Sequence, residues 1–297
     1  METLFKYYSR LDASYFLNPT IKISYIGKLN DPFESIVNNN IKNKMLDYDT
    51  SKEFVLHKEM EFYWLLNHIG IVSLTETPRN LLMWSHYANQ HKGICIGYKS
   101  NYLDHHIHKT DPTLPVSYRP IKVNYDNVRY DPYIDSLQSE NKSQLIKNSI
   151  LKTVLTKGND WMYEKEHRSI IPLSHHDYIQ FNSNKKTFEY YESEFINIER
   201  MDINNGFKLK NITDIDIHMA NNDNDLMYML KINPESIVSI YFGCNSDHFD
   251  NCILYRKIKS NPSLSHINVY QTLASRERFE LDIMPFIDDL DDYISRP

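Results

Sequence analysis

Apolar positions along this 297-residue chain change their period several times, and each change predicts an element. "METLFKYYS" alternates aromatic and polar side chains, the two-residue period of a first strand. Residues 51–67, "SKEFVLHKEMEFYWLLN", switch to helical spacing, and "GIVSLTE" at 70–76 returns to a strand. Thr77-Pro78 reads as an N-cap with Pro at the first helical position, opening a helix through "RNLLMWSHYANQ" that ends at Gly93. "GICIGYK" is the next strand. Residues 140–157 line up Ile146, Ile150, Leu151, Val154 and Leu155 on one helix face that stops near Gly158. "HRSIIPL" then reads as a strand, followed by strand-like pieces at 186–199, 206–217 and 236–243. "SDHFDNCILYRKIKS" is a helix and "HINVYQTL" a final strand.

The polar segments between these elements are less informative. "LNDPFES" is a tight turn with Phe33 anchored in the core, or else a segment that lines a pocket through Asn30, Asp31 and Glu34. Residues 100–136 read as a long loop or insertion. "DHHIHKT" at 104–110 and "SHHDY" at 174–178 show no closed set of four ligands, so both read as solvated surface and no metal is assigned. Strands and helices mix without regular βαβ alternation. That predicts an α+β fold with a mostly antiparallel sheet and helical insertions. One enlarged domain is expected over 1–297, with 1–175 bearing the motifs and 176–297 completing the sheet.

Composition narrows the function classes. A hydrophobic share of 41% and a charged share of 24% are ordinary for a soluble globular chain. The net charge of -6, with no basic arm, disfavours nucleic-acid binding through bulk charge. Three cysteines without a CxxC pair suggest reduced thiols, and no apolar leader or span stands out, so a cytoplasmic protein without membrane partners is expected. The seven glycines assemble neither a G-x-G-x-x-G nor a P-loop. A nucleotide, if bound, is held without a Gly-rich cradle.

Two stretches carry candidate chemistry. In "WMYEKEHRSIIP", Glu164, Glu166 and Arg168 alternate where a strand begins, which would set two acids and a base on one face. The bland alternative is an exposed edge with a weak ion pair. On the 79–90 helix, Met83 and Tyr87 share one face and Trp84, Ala88 and Leu81 another. Trp84 reads as core, whereas Ser85, His86 and Lys92 form a polar group near the helix end.

"LFKYY", "LNDPFES", "LLMWSHYANQHKGICIGY" and "WMYEKEHRSI", in this order, resemble the bacterial family called domain of unknown function 2971, over residues 1 to about 175. The family name supplies no activity; its bacterial setting suggests a toxin or antiviral effector. A second resemblance is to ADP-ribosyltransferase-like domains, which bind NAD as substrate on a split, mostly antiparallel sheet. It implies a first motif at Lys6 or Tyr7, a middle motif at Ser73 with Ser85 or Tyr87 nearby, and a late-strand Glu166. Glu164, two residues earlier, is similar to the E-x-E pair of arginine-modifying members, although Ser73-Leu74-Thr75 departs from their Ser-Thr-Ser element. The implied reaction cleaves the nicotinamide–ribose bond. Glu166 would stabilise the developing sugar cation. Glu164, its pKa raised by its neighbour, would take a proton from the acceptor nucleophile. Lys6, Lys92 or Arg168 would meet the pyrophosphate, while the acceptor, protein, nucleic acid or small molecule, stays open. The rivals are a metal-dependent nuclease or hydrolase using Glu164, Glu166 and a further acid, and a non-catalytic nucleotide- or RNA-binding module.

Overall fold

A computed structural model describes residues 2–46, 52–131, 142–201 and 205–291. In chain order its strands are β1 (Thr3–Tyr8), β2 (Thr20–Tyr25), β3 (Ile69–Thr75), β4 (Ile94–Lys99), β5 (Ser117–Lys122), β6 (Asn124–Tyr125), β7 (Thr156–Lys157) and β8 (Glu166–Pro172). They continue with β9 (Tyr178–Phe181), β10 (Ile198–Met201), β11 (Gly206–Leu209), β12 (Leu226–Lys231), β13 (Ile237–Phe242), β14 (Asn268–Ala274) and β15 (Leu281–Pro285). The helices are α1 (Ala13–Leu17), α2 (Asn39–Leu46), α3 (Lys52–Asn67), α4 (Leu81–Tyr87), α5 (Lys142–Val154), α6 (Phe188–Glu194), α7 (Asp214–Asn222) and α8 (His248–Lys259).

Among the described residues, thirteen strands form one open sheet in the order β10-β11-β9-β12-β2-β3-β1-β4-β13-β14-β15, with β8 and then β5 branching from β3. Every pairing in it is antiparallel except β13 with β14, which α8 connects as a crossover. The fold is therefore mixed α and β with a large, mostly antiparallel sheet.

The branch arises at β3. β8 pairs with β3 along its whole length, from Ile69↔Pro172 to Thr75↔Glu166. A strand has only two edges, so β1 and β2 must share the other one. β2 takes its start, through Ser24↔Ile71 and Tyr25↔Gly70, and β1 takes its end, through Phe5↔Thr75. Between these pairings both strands splay away from Ser73 and leave a fork. Three apolar clusters fix the surroundings. α3 and α5 bury Phe62, Leu66, Ile146 and Ile150 against Ile71 and Ile170, while α4 buries Trp84 and Ala88 against Phe5, Tyr7 and Cys95. The largest cluster packs α8 and the remaining strands around Tyr98, Phe207 and Phe242.

Several predicted elements differ from those observed. Asn80, not Thr77, caps α4, its Oδ1 accepting the Leu82 and Met83 N–H groups at 3.0 and 3.1 Å. α4 ends at Tyr87 because Asn89, Gln90 and His91 take left-handed φ values of 47°, 54° and 66°. Residues 100–136 are not one loop, since β5 and β6 fall within them and β5 covers the outer edge of β8. β8 is thus an interior strand, buried at all seven positions. Half of the segment at 186–199 is α6, with β10 beginning at its end, and 206–217 passes from β11 into α7, whose Thr213 and Asp216 make a capping box. The two histidine stretches are not simply solvated. His106 lies near parallel to Tyr118 with ring centres 6.1 Å apart, His175 Nδ1 meets the Tyr118 hydroxyl at 2.6 Å, and His106 lies 3.7 Å from Asp177. Phe33 is 60% exposed, so it does not anchor its turn. Residues 1, 51, 132–136, 140 and 141 of the predicted segments lie outside those described.

Candidate active site

The fork opens as a cleft of about 290 Å³ between β1, β2, β3, α4 and the start of β8. In this cleft the Ser73 carbonyl accepts a hydrogen bond from the Lys6 ammonium at 2.9 Å. Lys6 and Tyr7 from β1, Lys22 and Ser24 from β2, Ser73 from β3 and Tyr87 from α4 form the walls.

The floor is an ionic cluster. Arg168 is fully buried and makes a two-pronged bond to Glu166, with Nε to Oε1 and Nη2 to Oε2 both at 2.8 Å. Its remaining donors reach Glu34 Oε1 at 2.9 Å and the Val154 carbonyl at 2.7 Å, and Nη1 lies 2.7 Å from Glu34 Oε2. The Lys157 ammonium stands among three carboxylates, 2.6 Å from Glu164, 3.3 Å from Glu166 and 3.6 Å from Glu34. It also sits 4.5 Å from the centre of the Trp161 ring. Glu34, Glu164, Glu166 and Lys157 are each 5% exposed or less. Charges buried this deeply persist only when paired this closely.

The electrostatics follow from that packing. Burial pushes the Glu166 carboxyl up, but Arg168, Lys157 and a hydrogen bond from the Ser73 hydroxyl outweigh it and bring it to about 2. Glu34 moves the other way, raised by burial against the pull of Arg168. Burial lowers Lys6 to about 8, opposed by the charge of Glu166 and aided by Lys22. Lys22 and Lys28 are also lowered by burial, and Lys22 adds to the effect on Lys28. Among the described residues five cationic side chains and three carboxylates line the cleft, two net positive charges when all are ionised, in a chain whose own balance is -6. That bias favours an anionic ligand.

The remaining wall is set by local turns. Glu164 ends a 3-10 turn (Asn159–Glu164), and Lys165 follows with φ 45° and ψ 51°. Glu164 is therefore not on the strand face with Glu166 and Arg168; the left-handed Lys165 turns the chain so that both acids still meet Lys157. Tyr87 donates to Glu164 Oε1 at 2.7 Å and accepts the Asn30 amide at 3.0 Å. The Thr75 hydroxyl holds the Glu164 carbonyl at 2.6 Å, and the Asn80 amide holds the Tyr163 carbonyl. The residue that caps α4 thus also ties it to the turn before β8.

Of the residues singled out in the sequence, Lys6, Tyr7, Ser73, Tyr87, Glu164, Glu166 and Arg168 share this cleft. The others do not. Trp84 is buried beneath Tyr7, with ring centres 5.1 Å apart, and its indole N–H is bound to the Pro78 carbonyl at 2.7 Å. Ser85 and His86 are exposed on the far side of α4. Lys92 lies on a separate hollow with Ser9, Asp12 and Asn245, because the left-handed turn at 89–91 carries it away. Arg168 cannot take a phosphate in both prongs, since Glu166 and Glu34 already hold them. Lys22, Lys28 and Lys157 were not signalled by the sequence, and Glu34 was signalled only as a pocket-lining alternative.

Residues 83–169 match the family model described as "Protein of unknown function (DUF2971)". The DUF2971 span runs from the cleft face of α4 into β8 and holds Tyr87, Lys157, Glu164, Glu166 and Arg168. It bears out the family resemblance drawn from "LLMWSHYANQHKGICIGY" and "WMYEKEHRSI". No curated protein and no solved structure matches the chain. Among the described residues no helix is long and apolar enough to cross a membrane.

Proposed function

We propose that the cleft binds NAD and cleaves its nicotinamide–ribose bond, passing ADP-ribose to an acceptor or to water, on an ADP-ribosyltransferase-like architecture. The observation that carries this reading is the meeting of Lys6 and Tyr7, Ser73 and Glu166 in one fork, though more than 150 residues separate the first from the last. Glu166, held ionised at about 2, supplies a fixed negative charge at neutral pH. A charge fixed before the reaction stabilises a sugar cation without reorganising. Lys6, Lys22 and Lys28 take the pyrophosphate in place of Lys92 and Arg168. Phe5, Tyr7 and Met83 offer the apolar and aromatic surface that a nicotinamide ring needs. Glu164, bonded to both Tyr87 and Lys157, is positioned to accept the acceptor's proton.

The metal-dependent hydrolase fits less well. Glu34, Glu164 and Glu166 do converge, but the seat among them is filled by the Lys157 ammonium, which an ion would have to displace. A non-catalytic nucleotide-binding module is the second reading, favoured by one observation: both Glu166 oxygens are already bonded to Arg168. Incubating the protein with NAD, alone and with protein or nucleic-acid acceptors, separates the readings. Nicotinamide release supports catalysis, and saturable NAD binding without release supports the binding module.

A further inference from the structure

We propose that His248, Cys252 and Asp289 form a divalent-metal site of the zinc type that fastens the C-terminal segment to α8. The site lies outside the cleft and is independent of the NAD reading. His248 and Cys252 are four residues apart on α8, so they stand one above the other on one helix face. Asp289 comes from the segment after β15, and the donor atoms of all three lie within 4.8 Å of one another. Zinc takes thiolate sulfur at about 2.3 Å and imidazole nitrogen at about 2.0–2.1 Å, which sets tetrahedral sulfur and nitrogen about 3.5 Å apart. Cys252 Sγ and His248 Nε2 are 3.5 Å apart.

The convergence is on a single atom. His248 Nε2 faces both Cys252 Sγ and Asp289 Oδ1. The Cys252 thiol also bonds the Asp288 carboxylate and meets the Asp289 backbone. A cation at the centre would part the direct His248–Asp289 contact and replace the thiol's bond to Asp288 with a bond to the ion. Binding would release the thiol proton to solvent, and the resulting thiolate and the Asp289 carboxylate balance a doubly charged ion, with water as fourth ligand.

The neighbours hold this geometry. Phe286 and Leu290, on either side of Asp289, are 7% and 6% exposed and anchor the segment in the core. Arg256, one turn along α8, binds Asp288 at 2.6 Å and Asp291 at 3.0 Å. Cys252 is fully buried while His248 and Asp289 are each 42% exposed, so the site is walled on the sulfur side and open to an entering ion on the other. The Cys-His-Asp set, with one soft ligand and a nitrogen, selects zinc-like ions over magnesium or calcium.

Cobalt(II) titration of the full chain tests this, because a thiolate ligand gives a near-ultraviolet charge-transfer band. One equivalent should develop the band, and zinc should abolish it by displacing cobalt. Cys252→Ser should lose the band, while Cys95→Ser and Cys244→Ser keep it. Asp289→Asn, at a half-exposed position, should stay folded and bind cobalt about tenfold or more weakly, and it decides the assignment should Cys252→Ser fail to fold. No band in the folded parent, a band that survives Cys252→Ser, or parental cobalt affinity in Asp289→Asn would each overturn the site.

Discussion

Replacing Lys157 by Met tests the ionic floor of the cleft. The side chain keeps its length and loses its charge, so the cluster of three carboxylates and two cations passes from one net negative charge to two. Removing one partner of a buried ion pair costs about 3–5 kcal/mol, because the other partner stays buried without compensation. Glu166 gives a separate measure. Its ordinary pKa of 4.5 is brought to about 2 in the fold, which corresponds to about 3 kcal/mol of stability. A lowered carboxyl contributes stability that is present above pH 4.5 and lost as pH falls toward 2. Without Lys157, Glu166 keeps Arg168 and the Ser73 hydroxyl, and Glu34, already raised, rises further. The variant's carboxyls should therefore take up protons between pH 7.5 and 5, where the parent's Glu166 does not, and relieve the repulsion. Urea unfolding followed by circular dichroism should give Lys157→Met a deficit of about 3–5 kcal/mol at pH 7.5, smaller at pH 5. A deficit under about 1 kcal/mol at pH 7.5, or one that grows on acidification, refutes the reasoning.

Other outcomes follow from single contacts. Lys6, brought down to about 8, should lose its charge as pH rises through that value, so ADP-ribose affinity by calorimetry should weaken between pH 7 and 9. Lys6→Met should bind about tenfold or more weakly at pH 7 and lack that pH dependence; an unchanged profile removes Lys6 from the site. Asn80→Ala should cost about 1–2 kcal/mol in urea unfolding, since it removes both the α4 cap and the bond to Tyr163. Lys165→Gly should be neutral or stabilising by up to about 1 kcal/mol, because glycine relieves the left-handed backbone there; a loss of stability would show that the side chain matters more than the turn.

The sequence made the framework legible where period and punctuation agreed. β1, β3, β4, β8, α3, α5 and α8 each have a clear spacing or a stop, and the structure contains them all. β2 was missed although "TIKISY" alternates, because Lys22 and Ser24 face the fork and look from sequence like a solvated side. The same ambiguity hid the site's cations. Lys157 directly precedes Gly158 after a helix, and the turn before β8 brings it to Glu164 and Glu166 while only long-range packing brings it to Glu34. Residue type picked out Glu166 and Tyr87, but the alternation rule misplaced Glu164, whose position depends on the left-handed Lys165. Lys92 was assigned to the wrong hollow because nothing in "ANQHKG" announces three consecutive left-handed residues.

In the proposed reaction Glu166 stabilises a sugar cation formed from NAD. Gln keeps the size of the side chain and removes its charge, although at a position 4% exposed and doubly bonded to Arg168 it will also weaken the fold. Nicotinamide release and NAD affinity should therefore be measured for the parent and Glu166→Gln at a temperature where circular dichroism shows both folded. Release should be slower by about 10²–10³-fold in Glu166→Gln with NAD affinity changed by no more than about threefold, since the ground-state sugar carries no such charge. A folded Glu166→Gln that releases nicotinamide at the parental rate, or a parent that binds NAD and releases none, contradicts this role of Glu166.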